Sequence, residues 1–265
     1  MRGRWSDAEV HHELFTAARR VGTLAADSVV IERPGWFQLI TPSFRKGGLN
    51  EIAQAELGGD EAAIEAAIDA ALAEYQRLGI RFRWRVDPSS TPADLGERLA
   101  RRGMSSSETI GWARSPAPLA GAPAPGVEVV RVGAAEVDEY TRLTALGWSV
   151  DPGPLDRFHR QIIGDPGCPT ALFVARTDGE PAGVAAVELR PTSAFLLGAV
   201  VLPERRGRGV YRALLGARLA HAAAAGVELA VTHAIASTSA PILARAGFEE
   251  VVRFAVYHWA PSDEG

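Results

Sequence analysis

The 265-residue chain has a single cysteine, Cys168. An intrachain disulfide and a multi-cysteine metal site are therefore excluded, a reducing compartment fits, and Cys168 reads as a small core or loop residue. An excess of basic residues is missing too. The chain has 28 Lys and Arg against 32 Asp and Glu, a formal net charge of -4 with pI near 5.9. That balance argues against a nucleic-acid partner and leaves room for a local basic patch on a small anionic ligand. No stretch approaches the roughly 18 apolar, charge-free residues of a membrane span. The opening MRGRWSDAEVHHELF has no uninterrupted apolar signal segment. The expectation is a cytoplasmic chain with no membrane partner. His11 and His12 read as a solvated helix face, because no third ligand stands near them, so no metal site is expected.

What the chain does have is 47% hydrophobic residues, enough for one large core or two smaller ones. The Pro/Ala/Gly-rich stretch 115–126 breaks helix and ladder repeatedly, since proline lacks an amide proton and restricts its predecessor. It reads as a linker between a domain over 1–114 and another over 127–265. In the first, Asp7–Thr23 reads as a helix with Val10, Leu14 and Ala17–Ala18 inward, and Pro34–Ile40 reads toward strand. Glu61–Leu78 reads as a helix with Ile64, Ile68, Leu72 and Tyr75 on one face, ended by Gly79. Ile80–Val86 reads as extended and Asp94–Arg102 as a short helix ending near Gly103. In the second, strands are expected at Val127–Val132, Ala171–Ala175, Val184–Leu189, Phe195–Leu202, Val227–Thr232 and Val251–Trp259. Helices are expected at Glu136–Leu146, Tyr211–Ala225 and Ala240–Ala246. The fold class is mixed α/β, with mostly antiparallel sheets flanked by helices.

Leu99-Ala100-Arg101-Arg102-Gly103-Met104 parallels Leu243-Ala244-Arg245-Ala246-Gly247-Phe248. Each follows an amphipathic helix and a strand, and each precedes an apolar segment ending near Trp112 or Trp259. Related folds in the two halves are the expectation.

The segment Leu196 to Leu215 leaves a strand, passes a Gly-Arg-rich loop and opens a helix. Glycines let backbone amides approach an anion, and the helix N-terminus adds unsatisfied donors and a favourable dipole for a pyrophosphate. Arg206 and Arg208 can add charge assistance. The Gly-Lys-Ser/Thr ending of a Walker loop is absent, and an early position with a downstream acid, needed for a dinucleotide fingerprint, is absent as well.

At Val201, Pro203, Arg206 and Gly209 the chain resembles the GNAT superfamily of acyl-CoA-dependent N-acyltransferases, whose strand ends in an apolar-x-Val-x-Pro pattern followed by Arg/Gln-x-x-Gly-x-Gly/Ala. The resemblance spans about residues 127–260. It implies acetyl-CoA as acetyl donor, with the pyrophosphate on the amides of Gly207, Arg208, Gly209, Val210 and Tyr211. It also implies that the backbone of Ala199 and Val201 meets the pantetheine arm and that an amide near Val200 or Val201 polarises the thioester. Tyr211 departs from the family's Gly or Ala. The first half resembles a degenerate GNAT unit through Phe82–Val86 and the Leu99–Met104 junction. It has no Arg-x-x-Gly-x-Gly loop; Pro42–Gly48 contains a basic Gly-rich turn, whose order and spacing give little support for a second CoA site.

Direct transfer needs a neutral amine, a thioester held nearby, stabilisation of the oxyanion and a proton for the departing thiolate. Glu188 is the first candidate base. The family's acidic tyrosine is replaced by Leu243, so that role does not transfer; Tyr257, His233 and Tyr211 are the remaining hydroxyl or imidazole candidates. The resemblance implies that Trp148 forms a wall or lid of the acceptor pocket, and Trp36, Trp84, Trp112 and Trp259 are expected to be core or domain-interface residues. The expected acceptor is an amine on a small molecule or a protein N-terminus, and the chain a monomer or homodimer. The alternative is a non-catalytic CoA-binding sensor or protein-interaction module.

Overall fold

The computed structural model describes residues 5–16, 23–121 and 124–261. In chain order its elements are α1 (Asp7–His11), continued by a π-helical turn over His12–Thr16, then β1 (Val29–Arg33), β2 (Trp36–Ile40), β3 (Glu51–Ala53), α2 (Glu61–Leu78), β4 (Phe82–Val86), α3 (Leu95–Arg101) and β5 (Ser105–Arg114). There follow β6 (Val127–Arg131), α4 (Val137–Trp148), α5 (Pro152–Gly164), β7 (Thr170–Thr177), β8 (Glu180–Leu189), β9 (Ser193–Val201), a 3-10 turn at Pro203–Arg205, α6 (Val210–Ala224), β10 (Leu229–Ile235), α7 (Ala240–Arg245) and β11 (Glu249–Trp259). The mixed α/β class holds. Ala17–Ala18, expected on the first helix, lie outside the described residues, and no helix among the described residues is long and apolar enough to cross a membrane.

Packing divides the chain into two units, Met1–Thr23 with Gly111–Val251, and Leu24–Ile110 with Val252–Gly265. The divisions fall at other positions than the 115–126 stretch, because each unit takes in a terminal segment from the far end of the chain.

In the N-terminal unit the strand order is β1-β2-β3-β4-β11, antiparallel except for β3 against β4. Helix α2 forms as its pattern dictates. Asp60 caps the Ala63 amide at 2.9 Å, Gly79 takes φ 60, and Ile68, Leu72 and Tyr75 are buried against Ile52, Phe82 and Trp84. Tyr75 stacks on Phe82 with ring centroids 3.9 Å apart. Each fully buried Leu, Ile or Phe of this kind contributes about 1.5–3 kcal/mol.

In the C-terminal unit the order is β6-β7-β8-β9-β10, antiparallel except for β9 against β10, with β5 as the next neighbour of β10. The β7–β8 turn is Asp178-Gly179, at φ 54 and 82, the two-residue pattern that follows the twist of a hairpin. Even-numbered residues Leu172, Val174, Val184 and Ala186 face α4. Phe173 faces the opposite way, onto His221 of α6 with ring centroids 5.9 Å apart.

The two units share a series of three antiparallel strands, a long helix, a parallel strand, a short helix and a last strand (β1 to β5 in one, β7 to β11 in the other), which the C-terminal unit precedes with β6, α4 and α5. The paired junctions match bond for bond. Met104 N donates to Leu99 O at 3.3 Å and Phe248 N to Leu243 O at 3.1 Å, while Gly103 and Gly247 take φ 82 and 79, the left-handed helix ending that glycine permits. The last strands are exchanged: β11 pairs with β4, and β5 neighbours β10.

Candidate active site

The site begins with an irregularity between β8 and β9. Val184 pairs with Val200 and Ala186 with Leu197, so Ala185 alone faces Gly198 and Ala199, and Gly198 takes φ 37. Such a bulge bends its strand. Parallel pairing of β9 with β10 ends at Phe195 and Val231, and the Thr232 hydroxyl makes one last bond to Leu196 O at 2.9 Å. Beyond this fork Leu197, Ala199, Val200 and Val201 are half-buried and Gly198 is exposed, so β9 presents an edge free of strand partners among the described residues.

The edge leads to the N-terminus of α6. Gly207 and Gly209 take φ 77 and 80, no side chain caps the helix, and no acid stands in its first turn. The amides of Val210, Tyr211 and Arg212 have no intrahelical acceptor by geometry, and the dipole favours an anion there. Arg206 reaches back to Val201 O at 3.4 Å, and Arg208 lies 3.6 Å from the exposed Asp178. Both bonds are weak enough to yield to a stronger acceptor. A Cβ on Gly209 would stand 2.5 Å from that of Ala124, whereas one on Gly207 would meet nothing within 4 Å.

Tyr211 does not block this end. Its hydroxyl lies beside Arg218, two helical turns on and on the same face of α6. Arg218 is buried, and burial pushes its pKa below the ordinary guanidinium value, with the Tyr211 and Tyr140 hydroxyls opposing the shift.

Glu188 faces the α4 side, opposite Phe195, but is 2% exposed and held by Arg190 at 3.3 Å. Arg190 also donates to Glu13 O at 2.7 Å and lies over the Phe195 ring, and Glu13 accepts from Thr192 and Ser193. The ring of His233, half-buried at the fork, packs edge-on to Phe195 at 5.3 Å and against Phe15 at 5.5 Å. Tyr257 belongs to the other unit, where it pairs with Trp84 and stands against Gly96. Leu243 is buried. Cys168 is half-buried, its Sγ 2.8 Å from the Thr23 hydroxyl.

Trp148 ends α4 and is 52% exposed beside exposed Leu146. The helix end is pressed onto the free strand, since a Cβ on Gly147 would lie 2.1 Å from Val200 Cγ1. An open groove of about 530 Å³ runs between α4 and α5, lined by Thr141, Leu146, Val150 and Pro152 among others. Sequence reasoning missed α5, whose start is masked by Pro152-Gly153-Pro154 although Leu155, His159 and Ile162 recur on its buried face. It also missed Gly147 and Arg218. The signal for Arg218 was a lone cation inside the Leu214, Leu215 and Leu219 stripe.

His159 anchors the α4–α5 layer through Thr141 at 2.8 Å and an edge-on Tyr140 at 4.7 Å. Burial lowers its pKa from 6.5 to about 4. Across that window the unfolded chain binds the proton and the folded one does not, so stability falls as pH drops from 6.5 toward 4. The whole window is worth about 3 kcal/mol. His159→Gln should flatten this slope, read from urea midpoints on either side of neutrality and in mild acid.

The corresponding place in the N-terminal unit is closed. Past β3 the chain zips onto the extension of β4: Thr91 N donates to Ala55 O at 2.9 Å and Leu57 N to Thr91 O at 3.0 Å. The N-terminus of α2 is capped by its own Asp60, and Glu61 and Glu65 nearby bind Arg98. An anion meets carboxylates there instead of free amides. The Pro42–Gly48 turn lies elsewhere, held by Asn50 through Phe44 O and Thr41 N.

Residues 135–248 match the model of the Acetyltransferase (GNAT) family. The fold of the chain is the GNAT acetyltransferase fold. Among solved structures it is similar to a GCN5-related N-acetyltransferase from Kribbella flavida, at 18% identity, 93% of this chain, 95% of that chain and TM-score 0.66. A functionally unknown conserved protein from Staphylococcus epidermidis gives 11% identity, 94% and 99% coverage and TM-score 0.69. A tandem GNAT protein from the clavulanic acid biosynthesis pathway gives 15%, 96% and 94%, with TM-score 0.60. At these identities the likeness is one of fold. No curated protein matches. The GNAT match starts just before α4 and ends at Phe248, so it covers the fork, the loop and α6, and none of the N-terminal unit.

Proposed function

We propose that this chain is an acetyl-CoA-dependent N-acetyltransferase of tandem GNAT form, with the cofactor site in the C-terminal unit and a degenerate N-terminal unit. The observation that carries the reading is the uncapped, acid-free N-terminus of α6 at the end of the free β9 edge. In this reading the amides of Gly207, Arg208, Gly209, Val210 and Tyr211, with Arg206 beside them, hold the pyrophosphate of acetyl-CoA. Ala199 and Val201 offer backbone to the pantetheine arm, and the Val200 or Val201 amide polarises the carbonyl. When bound, the cofactor supplies an activated acetyl group for direct attack by an amine of a small molecule or a protein N-terminus. The deciding experiment is an acetyl-CoA turnover screen against diverse amines with products identified by mass. Failure to bind acetyl-CoA overturns the reading.

Two expectations follow at once. Calorimetry should give one acetyl-CoA per chain, since the N-terminal counterpart is zipped and acidic; a second site of similar affinity overturns that contrast. In this reading Glu188 is the partner that keeps Arg190 in place. Glu188→Gln should lower the thermal midpoint, because it leaves a buried guanidinium half-paired at a cost of about 1–3 kcal/mol, while turnover per folded molecule changes less than the roughly 100-fold loss expected for a general base. The shielding of Glu188 and the absence of a hydroxyl at Leu243 also favour a second reading, a CoA-binding sensor without turnover. Saturable CoA binding with no thiol release across the amine panel selects it.

A further inference from the structure

Arg218 stands out among the buried polar groups of the C-terminal unit, and the inference drawn from it rests on the acetyl-CoA reading above. It is 2% exposed. It donates to three backbone carbonyls, Leu214 and Leu197 at 3.2 Å and Ala186 at 3.5 Å. Its Nη2 is buried with no acceptor in hydrogen-bonding geometry, and no carboxylate among the described residues forms an ion pair with it. A buried cation without a counter-charge is costly, and replacing it by an apolar chain of similar volume is often neutral or stabilising. Packing alone therefore does not explain its presence.

Its position does. Ala186 and Leu197 are the last pair before the bulge, where β9 parts from β10. An arm lying on the free edge from the loop back to this point covers Val201 to Leu197, roughly 13 Å at about 3.3 Å per residue. In the acetyl-CoA reading the reacting end of such an arm would meet the sheet where the guanidinium bonds the Ala186 and Leu197 carbonyls.

We propose that Arg218 is a positioning residue for acyl transfer: its bonds to Leu197 and Ala186 hold the bulge open, and its unneutralised charge favours the thiolate that leaves there. In that step the amine nitrogen forms the C–N bond, the C–S bond breaks with its electron pair passing to sulfur, and the amine proton goes to the thiolate or to solvent. The ionisable groups that act on this guanidinium are Tyr211 on α6 and Tyr140 on α4, whereas Glu188 on β8 is bound to Arg190 and His233 on β10 packs on Phe195.

The test uses CoA itself and the ultraviolet absorbance of its thiolate, read against pH in complexes with the whole chain. In the wild type and in Arg218→Lys the bound thiol should ionise at least about one pH unit below free CoA, a tenfold gain in thiolate. In Arg218→Gln and Arg218→Met it should return to the free value, while CoA affinity changes less than about threefold and the Arg218→Met thermal midpoint holds or rises. A wild-type complex that titrates like free CoA, or an Arg218→Gln complex that keeps the shift, overturns the proposal. Should the neutral variants fail to fold, the wild type decides: affinity for CoA must rise against S-methyl-CoA as pH climbs through the thiol pKa, and parallel curves overturn it. A wild type that binds no CoA overturns the acetyl-CoA reading, and this proposal with it.

Discussion

Gly209→Val is expected to weaken acetyl-CoA binding by at least about 100-fold, or about 2.7 kcal/mol, with α6 and the β6–β10 sheet still folded. Two independent features of the position produce the loss. At φ 80 the backbone is left-handed, a region that a β-branched residue occupies only under strain of about 1–3 kcal/mol. The added Cβ also lands 2.5 Å from that of Ala124, a separation no relaxed contact tolerates. The loop relieves both by leaving the left-handed region, and that rotation turns the first amides of α6 away from the anion. Gly207→Ala separates the two causes, because Gly207 has the same hand, φ 77, with open space around it; a loss of about tenfold is expected from strain alone. Titration calorimetry gives the affinities, and far-ultraviolet dichroism reports the fold. Wild-type affinity in Gly209→Val would remove the α6 N-terminus from the cofactor site.

The sequence carried the loop because glycine at a helix entry has few uses, and Gly207 and Gly209 both take the left-handed angles that make the residue necessary. It carried α2 within its exact bounds because Asp60, the Ile64–Ile68–Leu72–Tyr75 stripe and Gly79 all agree. The repeated Leu-Ala-Arg-x-Gly junction likewise pointed to two similar units, since the same turn needs glycine at the same place. Helix α5 was hidden by a Pro-Gly-Pro entry, which reads as loop although Asp151 caps it through Gly153 at 2.8 Å. The state of Glu188 was beyond reach for another reason. Its partner Arg190 is two residues away, but the cluster that buries both is closed by Glu13, and no local pattern announces a contact across so long a separation. The exchange of last strands is of the same kind: β5 and β11 have equivalent places in the two halves, so their patterns fit either neighbour.

That exchange makes the end of the chain a part of the N-terminal unit, and a chain stopped after Val251 is expected to lose the fold of residues 24–110. The missing segment pairs Ala255 to Trp259 with Val86 to Phe82. It also buries Phe254 and Val256 and packs Tyr257 and Trp259 on the α2 core. Four side chains at about 1.5–3 kcal/mol for each fully buried one, even discounted for the half-buried pair, approach the 5–15 kcal/mol that holds a typical domain. The truncation further strips β4 of its ladder and exposes an unpaired edge. The strands that build the α6 site, β6 to β10, keep all their pairings in the shortened chain. Hydrogen exchange should therefore show protection lost in α2, β3 and β4 and retained in β7, β8 and α6, with acetyl-CoA still bound. One other arrangement is open to the shortened chain: β5 can take the vacated place beside β4, in which case residues 24–110 stay protected and β10 loses its neighbour. Protection lost at Leu229–Ile235 instead of at β4 would select that arrangement and refute the expected one. Trp259→Ala, which keeps the strand and removes its packing on the α2 core, the Phe82 ring at 6.2 Å between centroids included, should lower the midpoint of the same unit without unfolding it. The first unit to melt in this protein would then be the one that owes its last strand to the C-terminus of the chain.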